Sequence, residues 1–261
     1  MPDPAQRVVP TVNNAAVEPR ALPVDGVLFD LDGTLADTAP DLAAALNRVR
    51  SERGLEPLPL ARLRPYASHG ARGLLGAGMG ILPDHQHYEG LRDAFLDQYA
   101  AALCVESALF AEVAALLDAI EARSLRWGIV TNKATRFTAP LLEALGLASR
   151  ARAIVCGDTT PHAKPHPAPL LHAALQLGIA PARCVYVGDA ERDVIAGVAA
   201  GMPTIVARYG YIEPGDAPEG WPASGSIDTP GGLLRWLPQH PGTSPGSLSD
   251  RQAPRADTPR R

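Results

Sequence analysis

Two aspartates separated by one residue, Asp30 and Asp32, are the first residues of this chain whose spacing indicates chemistry. They follow the apolar run Val27-Leu28-Phe29, which predicts a short buried strand, and they precede Gly33. In extended backbone, side chains two residues apart leave on the same side, so these carboxylates would crowd each other. A proton or a hard cation such as Mg²⁺ would relieve that repulsion. An Asp-Gly turn with ordinary solvated acids is the alternative interpretation.

Lysine is rare in this chain, since only Lys133 and Lys164 among the 24 basic residues are lysine. The compact ammonium of lysine is not equivalent to the guanidinium fork of arginine, so a retained lysine suggests that a point charge is needed. Lys164, which precedes Pro165 in a loop, is therefore predicted to be functional. Lys133 is interpreted as a charge at the surface or at the rim of the site.

Polar residues also follow two later apolar runs that predict strands. The run at 127–130 ends in Thr131-Asn132-Lys133, and the run at 184–187 ends in Gly188-Asp189, with Asp193 one helical turn later. Ligands of open parallel sheets bind at the carboxyl ends of the strands, so we expect these side chains to lie close together. Alternatively, Thr131 caps a helix, and Asp193 orients the lysine or satisfies a helix N-terminus.

The pattern of the chain predicts an α/β fold with a parallel sheet. After residue 112, short apolar runs alternate with helical patterns, and Gly146, Gly178 and Gly201 stand where helices are expected to end. Such alternation is typical of a parallel sheet that is covered by helices on both faces. Between 43 and 105 only helical patterns occur, so this segment is predicted to be an all-helical cap inserted after strand one.

The sequence therefore divides into a core, a cap and two terminal segments. The α/β core is predicted to comprise residues 24–42 and 106–238, and the cap residues 43–105. Residues 1–23 are predicted to be a disordered leader. Residues 239–261 are rich in Pro, Ser and Arg without periodicity, which predicts a disordered tail.

Composition excludes several classes of protein. A net charge of −4 and a pI of about 6.0 provide no basic surface for nucleic acid. No apolar run approaches the roughly 18 residues that a membrane span needs, and the N-terminus lacks the pattern of a secretory signal. The three cysteines are an odd number at wide spacing, which favours reduced thiols. We expect a soluble cytoplasmic protein that is monomeric or weakly dimeric.

Taken in order, four motifs resemble those of the haloacid dehalogenase superfamily: Asp30-x-Asp32-Gly-Thr, the hydroxyl of Thr131, Lys164-Pro165, and Gly-Asp189-x-x-x-Asp193. The resemblance implies a Rossmann-like core with strand one central, Mg²⁺ as cofactor, and a small phosphorylated metabolite as partner. It implies that Asp30 is the nucleophile and that Asp32 is the general acid and base.

The same resemblance implies roles for the remaining motif residues. Thr131 would bind the phosphoryl group, and Lys164 would support both the nucleophile and the phosphate. Mg²⁺ is predicted to be bound by Asp30, Asp32 and Asp189, with Asp193 behind these ligands. This set suits a phosphomonoester dianion, which repels a carboxylate and therefore needs cations and positioning for attack. Four further residues are predicted to contact the substrate: Thr34, Asn132, Arg72 and His69.

Within the superfamily, the second carboxylate Asp32 points to phosphatases rather than dehalogenases. The segment 43–108 contains no lysine, which excludes a phosphonatase that needs a Schiff base from its cap. The segments WGIVTNKATRF and RYGYIEP resemble phosphatases of N-acetylmuramic acid 6-phosphate in cell-wall recycling, and this substrate is favoured. The alternative substrate is 2-phosphoglycolate, which the segments DTAPDL and SHGAR favour. A sugar-phosphate mutase and a non-catalytic binding module are further alternatives.

Overall fold

The computed structural model describes residues 21–239. The predicted disordered leader, 1–23, lies outside the described residues except for its last three positions. The predicted tail, 239–261, lies outside them except for Gln239. No helix in the described part of the chain is both long enough and apolar enough to cross a membrane.

A six-stranded sheet forms the centre of the core, and each neighbouring pair of its strands is parallel. The strand order is β5-β4-β1-β6-β7-β8. The strands are β1 (Gly26–Phe29), β4 (Arg126–Val130), β5 (Ala153–Val155), β6 (Cys184–Gly188), β7 (Thr204–Ala207) and β8 (Gly225–Ile227). Because β1 lies between β4 and β6, the residues that follow these three strands meet at one edge of the sheet.

Helices cover both faces of the sheet, as the apolar pattern predicts. They are α5 (Val113–Ala122), α6 (Thr135–Ala144), α7 (Ala168–Leu177) and α8 (Glu191–Ala199). The side chains of β1 alternate between the two faces. Val27 and Phe29 pack with residues of α5 and α6, whereas Leu28 packs with residues of α7 and α8. The fold is thus the predicted α/β class with a Rossmann-like parallel sheet.

The cap consists of four α-helices around a second apolar cluster, which Phe137 and Tyr211 of the core complete. They are α1 (Ala39–Ser51), α2 (Leu60–Leu63), α3 (Gly70–Met79) and α4 (Tyr88–Ala101), with a 3₁₀ turn at Arg64–His69. Helix α1 begins at Ala39, ahead of residue 43, where the cap was predicted to begin. Leu46, Leu74 and Phe95 are buried in the cluster that these helices share.

Two short antiparallel strands, β2 (Ala36–Asp37) and β3 (Ala108–Leu109), join the cap to the core. The sequence analysis does not predict them, because two residues are too few to show a strand period. Asp41 at the start of α1 accepts hydrogen bonds from the backbone N–H groups of Val105, Glu106 and Ser107. This carboxylate ties the outgoing chain to the returning chain at the base of the cap.

Candidate active site

Asp30 lies directly after β1 with its side chain buried under the cap. The chain then turns at Gly33, whose φ is +88°. A side chain at this position would be strained, and a Cβ atom there would lie 2.1 Å from a carboxylate oxygen of Asp189. Glycine is therefore required where the first strand's loop approaches the loop that follows β6.

Lys164 is the buried cation of the site. Its Nζ lies 2.8 Å from Oδ1 of Asp30 and 2.8 Å from Oδ1 of Asp193. It also donates to the backbone carbonyl of Val130 at 2.8 Å and to the hydroxyl of Tyr186 at 2.7 Å. These contacts keep the Lys164 ammonium beside the carboxylate of Asp30, the predicted nucleophile.

Three buried carboxylates, those of Asp30, Asp189 and Asp193, offer ligand atoms that all lie within 4.8 Å of one another. Asp193 already contacts Lys164, and its Oδ2 accepts the backbone N–H of Ala190 at 3.1 Å. Asp30 and Asp189 are therefore the carboxylates best placed to bind a hard cation. Oxygen donors of this kind fit Mg²⁺, whereas the contacts of Asp193 support its predicted position behind the ligands.

The pKa values within this group reflect burial and mutual repulsion. Burial, opposed by Lys164, raises the pKa of Asp30 to about 6. Burial together with the charges of Asp30 and Asp193 raises the pKa of Asp189 to about 7. Asp193 differs because Lys164 and Arg192 outweigh burial and hold its pKa below the usual value. A bound cation would favour the ionised forms of Asp30 and Asp189.

Asp32 is not part of this carboxylate group. Its Oδ1 lies 3.0 Å from Nζ of Lys133 and accepts the hydroxyl of Thr38 at 2.5 Å. The interpretation of Lys133 as a surface or rim charge is therefore wrong, because its side chain is only 9% exposed. The Asp32 carboxylate thus has an ammonium beside it, and its roles as general acid and base and as a metal ligand stay predictions.

Thr131 and Asn132 follow β4, but their side chains make hydrogen bonds with different segments. The buried hydroxyl of Thr131 accepts the backbone N–H of Lys133 at 3.1 Å, and Thr131 lines the cavity. The side-chain amide of Asn132 makes two hydrogen bonds of 2.9 Å with the backbone of Lys164. Asn132 lines the cavity too, but its amide holds the lysine loop, which differs from the predicted contact with substrate.

The structure places Thr34 beneath the site rather than in contact with substrate. Its side chain is fully buried, and its hydroxyl lies 3.5 Å from Oδ1 of Asp189. The other oxygen of Asp189 accepts the backbone N–H of Tyr211 at 2.8 Å and the hydroxyl of Ser68 at 2.9 Å. The predicted contact of Thr34 with substrate does not take this position into account, in which the Thr34 side chain faces Asp189.

The cap reaches the core through the 3₁₀ turn at its centre. Arg192, from the first turn of α8, donates to the backbone carbonyl of Ser68 at 2.9 Å. His69 lies 2.5 Å from a carboxylate oxygen of Glu213. Arg64 is paired with Asp37 at 2.7 Å. Arg72 is exposed and lines the cavity, as does His69, which keeps both in reach of a substrate.

A cavity of about 520 Å³ lies between the cap and the strand ends. At its base are Asp30, Asp32, Thr131 and Lys164 from the core. Its wall has an apolar and aromatic part formed by Leu42, Phe95, Leu96, Tyr99 and Phe137, and it also carries the cationic side chains of Arg72, Arg136 and Arg192. The predicted chemical groups thus share one chamber with a surface that can contact the non-phosphate part of a ligand.

Sequence reasoning misses three residues of this chamber: Lys133, Arg192 and Tyr99. The rarity of lysine is a usable signal for Lys133, because it applies to both lysines equally. Arg192 stands between Asp189 and Asp193 in the motif, but its position follows no pattern that would mark it as functional. Tyr99 belongs to an apolar helical stripe, so the sequence does not distinguish it from a core residue.

Comparison with known proteins agrees with this geometry. A family model described as haloacid dehalogenase-like hydrolase matches residues 27–207. The chain is 45% identical over 208 residues to an N-acetylmuramic acid 6-phosphate phosphatase of Pseudomonas aeruginosa, covering 80% of this chain and 92% of that protein. It is 44% identical over 212 residues to a phosphoglycolate phosphatase of Xanthomonas campestris, covering 81% and 95%.

A solved structure has the same architecture. The crystal structure of a predicted phosphoglycolate phosphatase from Haemophilus somnus superposes with a TM-score of 0.71 at 26% identity, covering 81% of this chain and 97% of that one. The parallel sheet, the strand-end carboxylates and the buried lysine define an α/β protein with a charged site at the carboxyl ends of its strands. The chain belongs to the haloacid dehalogenase-like hydrolase family. Within it the chain is a phosphoric monoester hydrolase, which confirms the predicted class of enzyme.

Proposed function

We propose that this phosphatase hydrolyses N-acetylmuramic acid 6-phosphate through an aspartyl-phosphate intermediate, with Mg²⁺ as its cofactor. The observation that carries the choice of substrate is the cavity of about 520 Å³, which falls in the usual range of ligand sites. Its apolar wall would pack against the sugar ring, the acetyl methyl group and the lactyl methyl group. A two-carbon acid would leave that wall without contact.

The residues at the base of the cavity support a reaction in two steps. An oxygen of Asp30 would attack phosphorus while the bond to the leaving oxygen breaks, and Asp32 would give that oxygen its proton. Water would then attack the aspartyl-phosphate, lose its proton to Asp32 and release inorganic phosphate. Lys133, 3.0 Å from Asp32, lies where it can stabilise the charge that Asp32 carries after donating the proton. Bound Mg²⁺ would neutralise negative charge on the transferring group.

The dependence on metal leads to a prediction for stability. Below pH 6, Asp30 and Asp189 hold protons in the folded state, because their pKa values are raised to about 6 and about 7. Above pH 7 both are ionised, and because the pKa of an unfolded aspartate is about 3.9, the metal-free fold loses stability as pH rises from about 4 to about 7. Mg²⁺ at a fixed concentration of about 100 times its Kd at pH 8 is therefore expected to raise Tm by about 5–10 °C at pH 8 and by much less at pH 5.

Thermal unfolding with Mg²⁺ and with a chelator, at pH values from 5 to 8, measures this effect. The Asp189→Asn variant is the control and should lose most of the shift. A shift that is the same at every pH, or that survives in the variant, contradicts the proposed site.

Turnover should cease with a chelator, and Ca²⁺ should inhibit because it accepts higher coordination and looser geometry.

The second candidate substrate is 2-phosphoglycolate, which the name of the relative from Xanthomonas campestris favours. Both candidates carry a carboxylate, so the cationic groups of the cap do not separate them. The discriminating measurement is kcat/KM for the two substrates under the same conditions. A value for 2-phosphoglycolate more than about tenfold higher, a difference of about 1.4 kcal/mol, would reverse the proposal.

Arg72 is expected to bind the substrate carboxylate, since it is an exposed guanidinium at the cavity wall. Arg72→Ala should lower kcat/KM for the preferred substrate by about tenfold to a hundredfold, which corresponds to a charged hydrogen bond. Activity with p-nitrophenyl phosphate, which has no carboxylate, should change by less than about twofold.

Arg62→Ala is the matched control, because Arg62 is an exposed arginine of α2 outside the cavity lining. Equal losses on both substrates would mean that Arg72 stabilises the fold or binds the phosphate group.

The cytoplasmic location and the monomeric or weakly dimeric state remain predictions.

A further inference from the structure

The cap places one tyrosine, Tyr99, at the wall of the cavity. Tyr99 lies on α4 and is 1% exposed. Within residues 21–239, its hydroxyl has no partner at normal hydrogen-bond geometry, although the Lys133 ammonium lies near enough to act against the rise that burial causes in the pKa of Tyr99. A buried hydroxyl without a partner is costly, so its position beside a ligand cavity points to a partner that arrives with the ligand.

The ring of Tyr99 is fixed from two sides. Its centroid lies 5.6 Å from that of Phe137, which also lines the cavity. Nζ of Lys133 lies 4.7 Å from the ring centroid, within the range of a cation–π contact. These two contacts hold the Tyr99 ring beside the cavity.

Lys133 also locates Tyr99 relative to the reaction. The same ammonium that contacts the Tyr99 ring lies 3.0 Å from Asp32, the carboxylate that would protonate the leaving oxygen. Tyr99 is thus on the side of the cavity where the leaving group must lie. Burial raises the pKa of Tyr99 to about 12, so the phenol remains a neutral hydrogen-bond donor throughout the range in which the enzyme would be assayed.

We propose that the Tyr99 hydroxyl donates a hydrogen bond to an oxygen of the leaving group and so selects oxygen-rich, sugar-type leaving groups. This proposal rests on the proposed function and deepens it by naming a specificity-determining residue. Because Tyr99 comes from the cap and Asp32 from the core, the contact forms only when the cap lies over the strand ends.

The test compares Tyr99→Phe with the wild-type enzyme on two substrates. The variant removes the hydroxyl and keeps the ring that packs on Phe137. We expect kcat/KM for N-acetylmuramic acid 6-phosphate to fall about tenfold, as for one buried neutral hydrogen bond. Phenyl phosphate has no other oxygen on its leaving group, so its kcat/KM should stay within about twofold.

The melting temperature of Tyr99→Phe provides a second measurement. If the hydroxyl had a purely structural role, its removal should lower Tm. Since the free enzyme gives the hydroxyl no partner, Tyr99→Phe should keep its Tm or raise it by up to about 4 °C. Tyr88→Phe, on the same helix but outside the cavity lining, is the matched control and should keep the wild-type kinetics.

Equal losses on both substrates, an unchanged value for the sugar phosphate, or a lowered Tm would each overturn the proposal. The proposed function is judged separately, from the preference of the wild-type enzyme alone. If that enzyme prefers 2-phosphoglycolate, the ratio of variant to wild type is measured on whichever hexosamine 6-phosphate the wild type hydrolyses. The two proposals can therefore fail independently.

Discussion

The Asp30→Asn variant is expected to lose more than 99% of turnover, a fall of at least about a hundredfold in kcat. An amide is not a nucleophile toward phosphorus, and it provides no anionic ligand for a cation. The side chain is nearly isosteric, so the packing under the cap should be retained. Because the pKa of Asp30 is raised to about 6, its charge costs stability above that pH, and the metal-free variant should melt no lower than wild type at pH 8.

Initial rates with p-nitrophenyl phosphate measure this loss, and thermal unfolding checks the fold. Asp32→Asn is the comparison, because p-nitrophenolate leaves without a proton and the defect should be smaller on this activated ester than on an alkyl phosphate. Retention of more than about a hundredth of the wild-type activity by Asp30→Asn would remove Asp30 from the role of nucleophile.

Lys164→Met is expected to lower both activity and stability. The variant removes the only side-chain cation within ion-pair distance of Asp30 in residues 21–239, and kcat/KM should fall by about a thousandfold. It also leaves Asp193 without its ammonium partner in a fully buried place. Breaking a buried pair costs about 3–5 kcal/mol, which corresponds to a fall of roughly 10 °C in Tm for a chain of this size.

The pH dependence of that loss has a definite sign. Lys164 helps to hold the pKa of Asp193 below its usual value, so the stability it contributes is present above pH 4 and is lost as pH falls. The difference in Tm between wild type and Lys164→Met should therefore be largest above about pH 4 and should shrink as pH falls below that value.

Lys164→Arg tests whether charge alone is sufficient. The Lys164 side chain is fully buried and its Nζ has four polar partners, so we expect the larger guanidinium to restore little activity. A Lys164→Met protein with wild-type Tm and activity within about tenfold of wild type would contradict the role of this lysine.

The parts of the site that the sequence predicts are those attached to strand ends. Asp30, Thr131 and Asp189 each follow an apolar run, and the parallel sheet brings such positions to one edge without further information. Lys164 does not follow a strand, but the composition of the chain singles it out.

The remaining contacts depend on how the cap is seated, which local patterns do not specify. Tyr99 has the helical spacing of a core residue. In the sequence Arg192 looks like any arginine in the first turn of a helix, and only the structure shows its contact with Ser68 of the cap. The strands β2 and β3 are missed for a related reason, since their pairing and not their composition defines them. The hydrogen bonds of the Asn132 amide are not predicted either, because they are made with the backbone of a loop 32 residues further along the chain.

Tyr211 has a consequence for protein engineering. Its backbone N–H binds Asp189, while its hydroxyl accepts the N–H groups of Thr38 and Ala39 and donates to Asp37 at the base of the cap. One residue near the end of the core thus fixes both a carboxylate of the site and the first turn of the inserted helices. The insertion is therefore not a self-contained module. A chimera that takes its cap from another phosphatase should take the segment around Tyr211 from the same donor, or the exchanged helices will begin in the wrong place.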